Sequence, residues 1–298
     1  MIMISGVGLR RILFRLSCGA LLIAGIAAAE SPSVTAATSV QSQLGKGLDS
    51  CTAPSPAQMN AFYQNTPYTY WGIYIGGSTR GCSQPYLNAD WVRQILAQGW
   101  ALLPVWVGPQ NPCQPYQAAR FSSNAAKAYS QGRHEAVLAY QALHALGLPD
   151  SSPIDYDLEA SGGRNTAACV AATMSFIQGW INQLHSPPAQ RAGLYTSSCN
   201  GFLDRFAGLK PGLDFIDGAS WDRRPSTTVM PCVSSAHWGG HARHKQYLGG
   251  HNEAWNKVKL HVDSRCGNSY VVGNSAFTYG HVCQNSGSHS ANPRRRFR

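Results

Sequence analysis

Two carboxylates two residues apart are the feature of this sequence best suited to chemistry. Asp157 and Glu159 end a short apolar run and are separated by Leu158. Alternate residues of a β-strand share one face and lie about 6.5–7 Å apart, so both carboxylates would enter one cleft. Two carboxyl groups at that range can hydrolyse a glycosidic bond: one donates a proton, and the other stabilises or attacks the anomeric carbon or activates water. Asp155 has the same parity, lies deeper and could polarise the pair.

Further acids stand at the ends of other predicted strands. Asp49 ends the first strand, Asp222 follows the sixth and Asp263 follows the eighth. Strand ends are often polar and Asp-x-Glu also occurs by chance. However, the chain has only 14 Asp and Glu residues, and clustered like charges are tolerated mainly where chemistry uses them. We therefore predict Glu159, Asp157 and Asp49 as catalytic residues, and Asp222 and Asp263 as substrate-binding residues.

Aromatic side chains near the same strand ends are a second indication of sugar binding. Flat rings that face a groove can stack on the apolar faces of sugars. We predict Tyr195, Trp221 and Tyr74 as substrate-binding residues, although Tyr74 and Trp106 fit internal packing equally well. Gln246 could exchange hydrogen bonds with a polar substrate and is predicted to bind it too.

Other chemistries have weaker support in the sequence. Four histidines and a glutamate lie close together but without an H-E-x-x-H motif, so we expect loop histidines, no metal and no cofactor. These residues are His237, His241, His244, His251 and Glu253. The segment 197–199 is not a G-x-S-x-G elbow, which argues against a serine hydrolase.

The arrangement of apolar runs predicts the fold. Eight runs are nearly apolar throughout, which is typical of buried parallel strands. The predicted strands are 46–49, 70–75, 100–107, 153–159, 192–196, 213–221, 244–248 and 258–262. Helical stretches lie at 88–98, 122–147, 167–184 and 202–209. This alternation predicts an α/β fold, a (β/α)8 TIM-type barrel that can be modified. An open doubly wound sheet is the alternative, but no G-x-G-x-x-G or P-loop supports it.

Composition and the two chain ends suggest an exported globular protein. The chain of 298 residues is 44% apolar and 13% charged, which excludes a disordered protein. A basic head and an apolar stretch predict a signal peptide at 1–29, of the Sec or twin-arginine type. We predict a flexible linker at 30–44, the barrel at 45–266, and a C-terminal extension with a basic tail at 267–298. Arginines at both ends account for most of the net charge of +10.

The cysteines point to the same compartment. Excluding Cys18 in the predicted signal leaves eight, an even number that implies four disulfides in an exported chain. Sequence leaves the connectivity open, and local closure suggests Cys51–Cys82 and Cys266–Cys283. We expect a monomer with a polysaccharide partner, no nucleic-acid partner and no membrane span.

Four segments resemble a known family. They are 47–55 (GLDSCTAPS), 72–77 (GIYIGG), 157–160 (DLEA) and 246–251 (QYLGGH). Over about residues 45–265 the chain resembles the glycoside hydrolase-like domain of exported actinobacterial proteins, long described as a domain of unknown function. That domain is similar to lysozyme-type glycoside hydrolases of family 25, modified barrels that cut the bond between muramic acid and glucosamine in peptidoglycan.

The resemblance implies roles for particular acids. Glu159 would be the general acid and Asp157 the stabiliser or nucleophile, while Asp49 and either Asp222 or Asp263 fill the other acidic positions. It implies a lysozyme-like or muramidase-like hydrolase in or near the cell wall. Asp155 departs from the family pattern, which has an apolar residue there. A non-catalytic barrel that binds cell-wall glycan is the alternative.

Overall fold

The computed structural model describes residues 38–115, 118–159, 166–274 and 283. The predicted signal peptide and nearly all of the basic tail lie outside these residues. Eight strands close into a barrel in chain order, which confirms the predicted α/β barrel. The strands are β1 (Thr38–Asp49), β2 (Tyr68–Gly76), β3 (Ala101–Trp106), β4 (Pro153–Asp157), β5 (Arg191–Ser197), β6 (Phe215–Ala219), β7 (Arg243–Trp255) and β8 (Val258–Asn274).

The barrel is modified at its last strand. Neighbouring strands from β1 to β7 are parallel, whereas β8 is antiparallel to both β7 and β1. Consequently the carboxyl ends of β1–β7 meet the amino-terminal half of β8, and Asp49 pairs in register with Asp263. This end of the barrel is called the mouth below.

Both ends of the folded region differ from the sequence prediction. β1 begins at Thr38, inside the segment 30–44 predicted as a linker, and β8 continues to Asn274, inside the predicted extension. The two strands pair over the whole length of β1. Their Ser, Gln, Gly and Asn residues resemble loop composition, but the long-range pairing supplies the backbone hydrogen bonds that make them strands.

Among the described residues, four α-helices and one 3₁₀ helix connect the strands. They are α1 (Pro56–Asn65), α2 (Ala89–Gln98), α3 (Ala125–Ala145), α4 (Ala167–Leu184) and the 3₁₀ helix Leu203–Gly208. Helix α1 was not predicted, although Ser55 and Gln58 form a capping box with proline at the first turn. Within the described residues, no helix is long and apolar enough to cross a membrane.

The interior of the barrel is divided into an apolar half and a charged half. Away from the mouth, a buried cluster that contains Tyr70, Leu103, Phe215 and Val271 fills the barrel. A larger apolar cluster lies between the barrel wall and the helices. These two clusters of buried apolar side chains pack below and around the mouth, and they support the polar side chains there.

Four disulfides fasten the loops to this framework. Cys51–Cys82 and Cys266–Cys283 confirm the two predicted pairs. The other pairs are Cys113–Cys169 and Cys199–Cys232. Four disulfides are typical of an exported protein.

Candidate active site

A buried arginine organises the acids at the mouth. The Arg265 guanidinium, on β8, forms ion pairs with Asp49 on β1 and Asp217 on β6. All three side chains are at most 1% exposed. Tyr74 on β2 donates a hydrogen bond from Oη to Asp49 Oδ1 at 2.9 Å. Gly72 leaves room for this group, because a Cβ there would lie 2.9 Å from the Asp49 Cβ.

Gln246 on β7 connects the acids to the aromatic residues. Its Nε2 donates to Asp263 Oδ2 at 3.1 Å and to Asp49 Oδ2 at 3.3 Å. Its Oε1 accepts hydrogen bonds from Tyr195 Oη at 2.9 Å and from Trp221 Nε1 at 2.8 Å. One amide side chain therefore fixes two carboxylates and two aromatic rings.

The Asp157–Glu159 segment is held by the loop after β3. Gln110 Nε2 donates to the Asp157 carbonyl oxygen at 2.9 Å, and Gln110 Oε1 accepts from the Glu159 backbone N–H at 2.6 Å. Asn111 Nδ2 donates to the Glu159 carbonyl oxygen at 3.3 Å. Leu158 packs outward in the main core. This arrangement leaves Asp157 buried inside the barrel and Glu159 exposed at the mouth.

The acids have raised pKa values because they are buried beside one another. Desolvation and then the nearby Glu159 raise the pKa of Asp157 well above its usual range, which Arg265 only partly opposes. Desolvation raises the pKa of Glu159 as well, although its side chain reaches solvent. Burial raises the pKa of Asp217 and of Asp263 to about 6. The mouth therefore retains protons in mildly acidic solution, as an acid catalyst requires.

Most of the predicted site residues lie in this one group, and Asp222 does not. Asp222 Oδ2 accepts a hydrogen bond from Lys245 Nζ at 2.9 Å. Lys245 precedes Gln246, so it faces away from the barrel interior. Trp106 also points outward and donates from Nε1 to Glu135 on α3 at 2.7 Å. Asp222 is therefore paired with a buried lysine and Trp106 with a glutamate of α3, and neither bonds to the group around Arg265.

The clustered histidines have separate partners. His237 bonds to Asp204, His241 to Asn268, and His251 to Glu253 and Ser264. His244 lies inside the barrel, and burial lowers its pKa to about 3. Within the described part of the chain, no three His, Cys, Asp or Glu side chains are grouped to hold a metal ion.

Sequence reasoning missed Arg265, Asp217 and Gln110. Asp217 lies within a predicted strand and shares its parity with Ala219, whereas Arg265 lies three residues after the predicted end of the last strand and shares its parity with Asp263. Of the two, only Asp217 was an available signal. Gln110 lies in a loop, and no local pattern indicates that its amide reaches another strand.

Comparison with known proteins identifies the family. The model of the Rv2525c-like, glycoside hydrolase-like domain matches residues 60–266, more than half of the chain. The chain belongs to this family. The matched part of this glycoside hydrolase-like domain contains every member of the group around Arg265 except Asp49. A comparison with curated proteins finds no match.

Several solved structures are similar to this glycoside hydrolase-like chain. An uncharacterised B. stearothermophilus protein is 18% identical with a TM-score of 0.49, over 74% of this chain and 95% of that chain. The Tat-secreted protein Rv2525c of Mycobacterium tuberculosis is 15% identical with a TM-score of 0.48, over 76% and 96%. The modular autolysin LytC of Streptococcus pneumoniae is 12% identical with a TM-score of 0.45, over 76% and 46%.

Proposed function

We propose that this protein is an exported glycosidase that hydrolyses peptidoglycan or a related cell-wall polysaccharide with two carboxyl groups. The observation that carries the proposal is the Asp157–Glu159 pair, which Gln110 holds at the mouth of an acid-lined barrel. Membership of a glycoside hydrolase-like family supports it. The four disulfides support export, which we assign to the Sec or twin-arginine signal expected at residues 1–29.

In this mechanism Glu159 is the general acid. Its raised pKa keeps a proton available, and its exposure lets that proton reach a glycosidic oxygen. As the proton moves to that oxygen, the C–O bond breaks and its electron pair leaves with the departing sugar. Asp157 acts in its ionised form, which requires the one proton of the pair to reside on Glu159; it stabilises or attacks the positive anomeric carbon, and water completes the hydrolysis. Glu159 raises the pKa of Asp157, so these two adjacent carboxyls are suited to hold one proton between them.

Replacing Glu159 tests this assignment directly. Glu159→Gln keeps the shape of the side chain but removes the proton donor, so we expect the rate of peptidoglycan cleavage to fall by about 100-fold or more. Asp90→Asn, at an exposed ion pair on α2, is the control and should retain full activity. Released fragments are measured by mass spectrometry, and thermal unfolding verifies the fold. Equal release of reducing ends by Glu159→Gln and the unmodified protein would refute the role.

A non-catalytic glycan-binding barrel is the second candidate. The ion pair between Arg265 and Asp49 favours it, because one predicted catalytic acid is already neutralised. Trp221, which is 66% exposed, would still offer a ring for stacking on a sugar. Retention on purified peptidoglycan or chitin-type oligomers, with no cleaved product over a wide pH range, would favour binding over hydrolysis.

A further inference from the structure

Asp155 is a buried carboxyl group without a hydrogen-bond donor. It lies on β4 two residues before Asp157, on the same face of the strand and farther from the mouth, and is 0% exposed. Neither of its oxygens accepts a hydrogen bond from an N–H or O–H group of the described residues. Its carboxyl lies within hydrogen-bonding reach of Asp217. Asp217 Oδ2 binds Arg265, whereas Asp217 Oδ1 also lacks a donor.

A shared proton resolves this arrangement. Two ionised carboxylates in buried contact would repel each other, because three of their four oxygens lack a donor and only Asp217 Oδ2 is bound by Arg265. A proton on one of the two carboxyl groups makes that group neutral, which removes the repulsion. It also provides an O–H that can donate a hydrogen bond to the other group. Desolvation first, and then the charge of Asp217, raise the pKa of Asp155 well above its usual range.

The described part of the barrel interior around this pair contains one cation and several acidic, phenolic or neutral groups. Arg265 on β8 is the cation nearest to it, and it favours ionisation of Asp217 more directly because it bonds to that carboxylate. The remaining groups are acidic, phenolic or neutral at ordinary pH, so none of them offsets the repulsion. They are Asp49 on β1, Tyr70 and Tyr74 on β2, Asp157 on β4, Tyr195 on β5 and His244 on β7.

We propose that Asp155 is a neutral carboxylic acid that donates a hydrogen bond to Asp217 Oδ1, and that this pair positions Arg265 and, through it, Asp49. With one proton shared, the Asp155–Asp217 pair carries a single negative charge. Asp217 then pairs with one side of the Arg265 guanidinium, and Asp49 pairs with the other. Asp155 and Asp217 are therefore positioning residues below the Asp157–Glu159 pair. Their effect on catalysis rests on the proposed hydrolase function, whereas the shared proton does not.

The first experiment measures the shared proton without any assay of activity. Asp155→Asn keeps a donor to Asp217 but cannot ionise. The unmodified protein must keep a proton on Asp155 that the unfolded chain releases, so it loses stability relative to Asp155→Asn as pH rises. We expect the ratio of the two unfolding constants to change by about tenfold per pH unit between about pH 4.5 and pH 7.

Gln98→Met, which removes a hydrogen bond between α2 and α1 but no ionisable group, is the control and should show a ratio that does not vary with pH. Denaturant unfolding with the disulfides intact provides all three constants. A ratio for Asp155→Asn that is equally constant would mean that Asp155 ionises normally, and would overturn the proposal.

The second experiment tests positioning in the presence of peptidoglycan. Asp155→Val removes the donor and Asp155→Asn retains it, so kcat should fall at least about tenfold further in the valine variant. KM should be similar in the two variants, because Asp155 is buried beneath the mouth. Equal kcat values would overturn the positioning role. An unmodified protein that cleaves nothing would refute the hydrolase instead, and the pH-dependent unfolding would still decide the shared proton.

Discussion

Arg265 lies inside the barrel among more carboxyl groups than a single guanidinium can neutralise. It pairs with Asp49 and Asp217, while Asp157 and Asp263 titrate under its influence without a direct ion pair. Burial and the neighbouring carboxylates raise the pKa values of Asp157 and Asp263, and the protons that are retained as a result reduce the excess negative charge. A purely structural ion pair would need only one acid, so the surplus of acids favours a chemical use.

Trp221 should contribute to glycan binding without contributing to stability. Its ring is 66% exposed, and a Cβ at Gly249 would lie 2.7 Å from that ring, so the indole rests against bare backbone. We expect Trp221→Ala to weaken glycan binding by about three- to tenfold. The unfolding free energy should change by no more than about 0.5 kcal/mol.

Trp221→Phe is the matched control, because it keeps an aromatic face and loses only the hydrogen bond to Gln246. It should bind glycan more tightly than the alanine variant does. Binding is measured by sedimentation with insoluble peptidoglycan. Unchanged retention of Trp221→Ala would show that this ring does not contact the glycan.

At the scale of elements, a loop and a helix together hold the acidic pair. Cys113–Cys169 joins the loop after β3 to the first turn of α4. In that loop Asn111 Oδ1 accepts from the Cys113 backbone N–H at 3.1 Å, which fixes the chain beside Gln110. The end of β4 is thus supported by two elements that lie on either side of it in sequence.

Replacing Gln110 should therefore lower kcat by more than the accompanying loss of folding stability would explain. Gln110→Met keeps the volume but removes both hydrogen bonds to the Asp157–Glu159 segment. We expect kcat to fall by about 10- to 100-fold and the unfolding free energy to fall by about 1–3 kcal/mol.

Gln98→Met is the control for this effect. It removes a side-chain hydrogen bond from α2 to the Pro56 carbonyl oxygen of α1, and Gln98 bonds to none of the group around Arg265. It should lower stability slightly and leave kcat unchanged. Similar kcat values in the two variants would mean that Gln110 does not hold the pair in its working position.

For the molecule as a whole, the sequence predicts the repeated pattern of apolar strands but not the single reversal of strand direction at β8. Near-continuous apolar runs predict the strands, and the carboxyl ends of parallel strands must meet, so the amino-acid sequence is enough to bring Asp49 and Asp157 together. The reversal of β8 leaves no local signal, because a strand has the same pattern in either direction. Arg265 was therefore missed, and Asp263 was expected after a strand rather than within one.

The surplus of acids should make the whole protein more stable in mild acid. Six carboxyl groups have pKa values raised in the folded state, so folding takes up protons between about pH 4 and pH 6. They are Glu135, Asp155, Asp157, Glu159, Asp217 and Asp263. His244 and Asp204 act in the opposite direction, because their pKa values are lowered in the folded protein, that of His244 to about 3, and the unfolded chain binds protons that the folded protein does not. These two groups cannot offset six acids.

The denaturant midpoint should therefore fall as pH rises from about 4.5 to about 6.5 with the disulfides intact, because the unfolded chain holds fewer protons in that window. Asp263→Asn should flatten this slope by up to about one proton, or about 1.4 kcal/mol per pH unit, since the Asp263 pKa of about 6 lies within the window. A midpoint that rises over the same interval would show that the acids ionise normally. The mouth would then lack the retained protons on which both acid catalysis and the Asp155–Asp217 pair depend.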